Sequence, residues 1–331
     1  LARSVVNWII IPWRPHFRYY PEVARELWNY GLKILAFNAL GTAADKVDET
    51  VIGKLLGDVS LGFYSQANKI PTLVVINFSM VLTQVLFPTY AKLKDDVKRL
   101  SQGFLLTTKY TAFVTVPASL GLLLIAPEFI RLVYGPKWDA AIPLMQVLAV
   151  TTLWLTLAWT AGDVYKATGR PGLMIWLMLA EMVVAIPALL VGAWFDANGY
   201  TAHRALGATM GSSFGYLFGT VLRLVVVARI LKIRFGAILV QFIPSFIAGG
   251  VMLAALLGLR SVLPEMHPLL RLSVTVAAGG AVYAGVLFLV ARDAIQTAWQ
   301  AVKGALQRDE AEGEADEMEP LAVESPGATG E

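Results

Sequence analysis

Cysteine is absent from the 331 residues, which removes disulfides, cysteine-ligated iron–sulfur clusters and thiolate metal sites from consideration. Histidine is almost absent. His16, His203 and His267 lie far apart, without the spacing of metal ligands, and are read as solvated loop residues. Charge is scarce at 15%, against about 25% in soluble domains. There is no glycine-rich loop ahead of a lysine, no HExxH and no nucleophile elbow, so neither a phosphate-cradling site nor a common hydrolytic site is written here. What is abundant is apolar: 56% of residues are hydrophobic, against about 45–50% in soluble chains, and mean hydropathy is +0.61. The class expected is an all-α polytopic membrane protein that is not an enzyme and needs no metal or cofactor.

Runs of low charge give the organisation. Residues 70–90, 110–127, 140–162, 235–259 and 272–291 hold no charged side chain. Residues 171–195 are interrupted only by Glu181, and 205–228 only by Arg223. Each is about as long as the ~17–25 residues a helix needs to cross the hydrocarbon core. With a helix over about 30–56, eight spans are expected. The opening run VVNWIIIPW is too short to span and is read as the end of a truncated helix. Loop charge then orients the spans. Sixteen basic residues, including Arg14, Lys98, Lys166, Lys232 and Arg308, fall on one side. Seven fall on the other: Lys54, Lys69, Arg131, Lys137, Arg204, Arg260 and Arg271. The positive-inside rule puts the richer side and the C-terminus in the cytoplasm. Residues 309–331 hold nine acidic and no basic side chains. The rest has 27 basic and 15 acidic residues, a net of +12, and the tail is read as disordered. Residues 293–308 are read as an interfacial amphipathic segment.

The stretch over residues 31–57 is the chemically unusual one. It is long enough to cross a bilayer, yet Asp45, Lys46, Asp48 and Glu49 lie well inside it. A charge at membrane depth costs about 2.5 kcal/mol or more, so these side chains are expected to face a bundle interior or a wet cavity. At helical spacing, Asn38, Gly41, Asp45, Asp48/Glu49 and Ile52 are expected on one side. Lys46 and Glu49 can form an i,i+3 ion pair. Glu181 is expected near mid-bilayer, as an ion or proton site or in a buried pair. Lys109 and Arg223 are expected to snorkel towards helix ends, and Asp163 to pair with Lys166 at the surface. Trp154 and Trp159 are expected to pack against helices. Pro71, Pro88, Pro117 and Pro187 can kink theirs.

Several motifs, taken in order, resemble the lipopolysaccharide and exopolysaccharide flippases of the multidrug/oligosaccharidyl-lipid/polysaccharide exporter superfamily. They are Ile52-Gly53, Leu55-Leu56-Gly57 and Leu61-Gly62-Phe63-Tyr64, followed by LFPTYAKLKDD (86–96), LLIAPEFIRLVYGPKW (123–138) and ATGRP (167–171). The resemblance covers about residues 25–230. It implies a fold of two six-helix lobes around a central cavity. This chain would supply the end of a helix (1–12), a cytoplasmic link (13–29), the second six-helix lobe (30–232) and two extra C-terminal transmembrane helices (233–292).

The resemblance further implies translocation of undecaprenyl-diphosphate-linked polysaccharide units across the bacterial inner membrane by alternating access. On that reading Lys46 and Lys69, with Asn38, Gln66 and Asn68, line the cavity and receive the headgroup. Lys69 is expected near the outer end of its helix. Asp45, Asp48, Glu49 and Glu181 balance charge or bind a coupling proton or Na⁺. The partners implied are a lipid-linked oligosaccharide, membrane lipids and the polysaccharide polymerase or export machinery, with no nucleic acid. Two other readings stay open: a cation-coupled multidrug antiporter of the same superfamily, and a membrane glycan polymerase or ligase.

Overall fold

A computed structural model describes residues 20–77, 90, 96–194, 201–262 and 267–292. The expectations for residues 1–12, the start of the link at 13–19, most of the span at 70–90 including Pro88, the segment at 293–308 and the tail lie outside these residues.

The first helix, α1 (Pro21–Pro71), begins with proline at its first turn, where a missing N–H costs nothing. At Gly57 the backbone turns to φ 83 and ψ 173, a conformation that favours glycine. There α1 folds back on itself. The Tyr64 hydroxyl donates to Asp48 at 3.2 Å, although sixteen residues of straight helix would separate them by about 24 Å. A Cβ on Gly53 would lie 3.1 Å from the Leu61 side chain across the same turn. Residues 21–56 and 58–71 are thus two arms of a hairpin. This corrects the expected loop between the first two spans: Lys54 ends one arm, and Lys69 sits inside the other. Pro71 cannot donate to the carbonyl four residues back, and the chain continues as a π-helical turn, Thr72–Ile76.

Helix α2 (Val97–Val133) is capped by Asp96, whose carboxylate accepts from the N–H groups of Lys98 and Arg99, both at 3.0 Å. Helices α3 (Ala141–Leu157) and α4 (Trp159–Ala167) are separated by a break at Ala158. Then come α5 (Gly172–Trp194), α6 (Thr201–Ile230), α7 (Phe235–Val262) and α8 (Pro268–Val290). Among the described residues six helical stretches are long and apolar enough to cross a membrane. They begin at Val97, Ala141, Gly172, Arg204, Phe235 and Pro268. Exposed Trp176 and Trp194 mark the two ends of α5. They are eighteen residues, or about 27 Å, apart, close to the thickness of the hydrocarbon core.

Helix α3 packs on α1, α2 and α6, while α7 and α8 pack together against α2. In lipid, tight helix association comes from close backbone approach rather than from a hydrophobic drive. Gly207, Gly211, Gly215 and Gly219 line one face of α6 against Gly192, Ala188, Ala185 and Glu181 of antiparallel α5. A methyl group on any of the four glycines would overlap its neighbour.

Prolines supply the other contacts. Pro117 leaves the Phe113 carbonyl without its helical donor, and the Tyr283 hydroxyl of α8 donates to it at 2.9 Å. Pro127 does the same to the Leu123 carbonyl, which accepts from Gln146 Nε2 of α3 at 3.1 Å. At one end of the bundle Glu128 pairs with Arg260 of α7, and with Arg271 of α8 at 3.7 Å.

Candidate functional site: a polar ribbon and two buried carboxylates

The hairpin at Gly57 sets the depth of the candidate lysines. Lys46 is eleven residues before the turn and Lys69 twelve after it. At 1.5 Å per residue they lie about 16 and 18 Å from the turn, on adjacent arms and at nearly the same level. This corrects the expectation that Lys69 sits at the outer end of its helix; the arm begins at residue 58 rather than 70.

Along the first arm, Asn38, Thr42, Lys46, Thr50 and Lys54 recur every fourth residue, and all five are exposed on this lobe. A helix face so polar over more than four turns is costly against acyl chains. Lys46, with 62% of its side chain exposed, donates to half-buried Glu49 at 2.7 Å, the i,i+3 pair that spacing suggested. On the second arm exposed Lys69 donates to Gln66 Oε1 at 3.0 Å, and Asn68 Oδ1 accepts from Thr72 at 3.3 Å. The expectation for the Asp45 side chain lies outside what is described.

Asp48 does not join this face. It is 5% exposed and accepts from Tyr64 of the second arm and Tyr216 of α6, both at 3.2 Å. Ile52 is buried beside the lobe core. The expected grouping of Asp48 and Ile52 with Asn38 is therefore corrected. At 100° per residue, Asp48 points about 200° away from Lys46. One carboxylate thus holds together both arms of α1 and a helix that follows it in sequence by some 160 residues.

Glu181 lies in α5, nine residues or about 13 Å from the helix start. Its side chain is 5% exposed and pairs with Arg223 of α6, whose side chain is 23% exposed. Space for the carboxylate exists because position 219 has no Cβ. The Tyr165 hydroxyl of α4 donates to the Arg223 carbonyl at 2.6 Å. The snorkelling expected of Arg223 is replaced by this interior ion pair. Lys109 instead lies over the Phe113 ring, 5.9 Å from its centroid. Asp163 does pair with Lys166, at 3.3 Å, but its side chain is only 3% exposed, because α4 packs between α2 and α6. The surface pair expected there is a buried carboxylate with a half-buried lysine.

Sequence reasoning found Asp48 and Glu181 but missed Tyr64, Tyr216 and Arg223 as their partners. The one available signal was the four-residue spacing of glycines 207–219, which marks the face of α6 that meets α5.

Comparison with known proteins agrees with this architecture. The profile of a family described as polysaccharide biosynthesis protein matches residues 1–143. The teichuronic acid biosynthesis protein TuaB of Bacillus subtilis (strain 168) is 28% identical over 307 residues, covering 89% of this chain and 60% of TuaB. The lipopolysaccharide biosynthesis protein WzxC of Escherichia coli (strain K12) is 25% identical, covering 59% of this chain and 38% of WzxC. The succinoglycan biosynthesis transport protein ExoT of Rhizobium meliloti (strain 1021) is 32% identical over 43% of this chain and 29% of ExoT. The chain therefore spans about 60% of the length of TuaB and less of the others. Among solved structures, the lipid II flippase MurJ in an inward closed conformation superposes with a TM-score of 0.65 at 16% identity, covering 88% of this chain and 59% of MurJ. Six apolar membrane-length helices, this fold and these relatives make the chain similar to the polysaccharide biosynthesis protein family over residues 1–143 and to the MurJ fold over most of its length.

Proposed function

We propose that this chain forms the second lobe and two additional helices of a flippase that moves polyprenyl-diphosphate-linked glycan units across the bacterial inner membrane by alternating access, with the C-terminus cytoplasmic. The observation that carries the reading is the exposed ribbon Asn38–Thr42–Lys46–Thr50–Lys54 beside Lys69 at matching depth. Amines at that level are tolerated where water and an anionic cargo meet them. A lysine acts on a phosphate as a point charge with three rotatable donors, suited to a headgroup that must be bound and released. Gln66, Asn68 and Asn38 supply neutral hydrogen-bonding groups to the same cavity. Glu49 keeps Lys46 partly neutralised while the cavity is empty.

Asp48 is the group we assign to coupling, because it ties both α1 arms to α6. Taking up a proton or a sodium ion there would alter two tyrosine hydrogen bonds at once. Glu181 balances the charge of Arg223. The polymerase or export machinery would meet the flippase where the glycan leaves it.

The test uses the full-length gene in a strain lacking its native exporter. Lys46→Ala together with Lys69→Ala should lower surface polysaccharide severalfold at unchanged protein level; unaltered export would reject the headgroup assignment. Asp48→Asn should leave residual export indifferent to collapse of proton or sodium gradients. If that variant still responds like the parent, coupling lies elsewhere.

A further inference from the structure

Between α6 and α7, beside α3, runs an apolar groove of about 550 Å³ whose walls include Trp154, Leu224, Phe235, Leu239, Phe242 and Ile247. Along α7 its lining extends from Phe235 to Ile247, twelve residues or about 18 Å, close to one leaflet of a 30 Å hydrocarbon core.

One end of the groove meets the turn joining α6 to α7, and charge there has a single sign. Arg229, Lys232 and Arg234 are exposed, and none forms an ion pair or side-chain hydrogen bond with a described residue. No Asp or Glu occurs between residues 197 and 264. The turn closes α6 with paired hydrogen bonds, Ile233 N–H to the Ala228 carbonyl at 3.0 Å and Lys232 N–H to the Arg229 carbonyl at 3.3 Å. This motif places Lys232 at φ 55, where glycine sits without strain and a lysine does not. The backbone thus bears a penalty at a position whose side chain adds an amine with no partner among the described residues. Helix α7 starts at Phe235 beside this turn, so the N–H groups of its first turn add partial positive charge. The approach is open: a Cβ on Gly236 would meet nothing within 4 Å.

We propose that the groove and its basic turn hold an anionic phospholipid of the surrounding bilayer. Its phosphate rests against Lys232, Arg234 and the start of α7, and an acyl chain lies along Trp154, Phe242 and Ile247. The length of the lining selects this occupant, since a polyprenyl chain longer than a leaflet would overrun it. The bound lipid fills the seam between the lobe and the first additional helix. The loop charges assign this end to the cytoplasmic leaflet, where anionic lipids concentrate.

The experiment places the full chain in nanodiscs of phosphatidylcholine containing phosphatidylglycerol brominated on its acyl chains. Quenching of Trp154 is read as the difference from Trp154→Phe. Brominated phosphatidylglycerol should quench at a severalfold lower mole fraction than brominated phosphatidylcholine. Lys232→Gly, which relieves the backbone while removing the amine, should erase much of that preference without lowering thermal stability; Arg234→Gln should act in the same direction. Native mass spectrometry of the unsubstituted chain and Lys232→Gly counts bound phosphatidylglycerol without any change at Trp154. Equal quenching by the two lipids would overturn the proposal, as would a preference or bound-lipid count that survives Lys232→Gly. Displacement of the brominated lipid by equimolar polyprenyl phosphate would also overturn it, assigning the groove to transported lipid instead.

Discussion

Replacing Arg223 with glutamine tests the interior ion pair most directly. Glu181 is 5% exposed and its carboxylate fills the space above Gly219, so loss of the guanidinium removes a positive charge from beside a buried carboxylate. Removing one partner of a buried pair costs about 3–5 kcal/mol. Glu181→Gln should cost less, about 1–2 kcal/mol. Arg223 lies seven residues, or about 10 Å, from the end of α6, and its long side chain can carry the charge towards the interface. Glu181→Gln with Arg223→Gln pairs two amides and should recover much of the loss, giving a coupling energy of about 2–3 kcal/mol. Reversible unfolding in mixed micelles, with all four proteins in one detergent series, measures each term. Two mild single effects that simply add would refute an ion pair at this depth.

Tyr283→Phe should leave the Phe113 carbonyl without a donor and loosen α8 by about 0.6–1.7 kcal/mol, seen as faster backbone hydrogen exchange in α7 and α8 with α5 and α6 unchanged. Gly211→Leu would overlap the Ala188 carbonyl and should lower folded yield sharply, whereas Gly280→Ala, which meets nothing within 4 Å, should not; thermal unfolding separates them. Because residues 1–331 hold no cysteine, Thr42→Cys or Thr50→Cys introduces the single thiol of this part of the transporter. In the assembled transporter they should react with a membrane-impermeant maleimide, while Ile52→Cys, buried in the lobe core, should not. Equal reactivity at all three positions would contradict the orientation of the ribbon.

The low-charge runs at 171–195, 205–228, 235–259 and 272–291 are legible because a bilayer demands about 20 apolar residues per helix, and the structure returns them within a few residues as α5 to α8. The Lys46–Glu49 pair was legible for a similar reason: both partners sit on one helix, and spacing fixes their distance. Rotation was not. Asp48 could be placed on either side of α1 until Tyr64 and Tyr216 were brought beside it. The depth of Lys69 follows only from the reversal at Gly57, which helical periodicity does not show.

Composition and pattern alone therefore determined a membrane bundle, its approximate spans, its loop-charge asymmetry and the one helix too charged to face lipid. Those properties follow from the chain's exchange with water and hydrocarbon, which acts on each segment separately. The partners of the buried charges were decided by the tertiary structure. Glycine faces let α5 and α6 close to backbone contact, a single left-handed glycine folded α1 into a hairpin, and prolines freed carbonyls for distant donors. Each of these depends on residues far apart in sequence, where local periodicity holds no information.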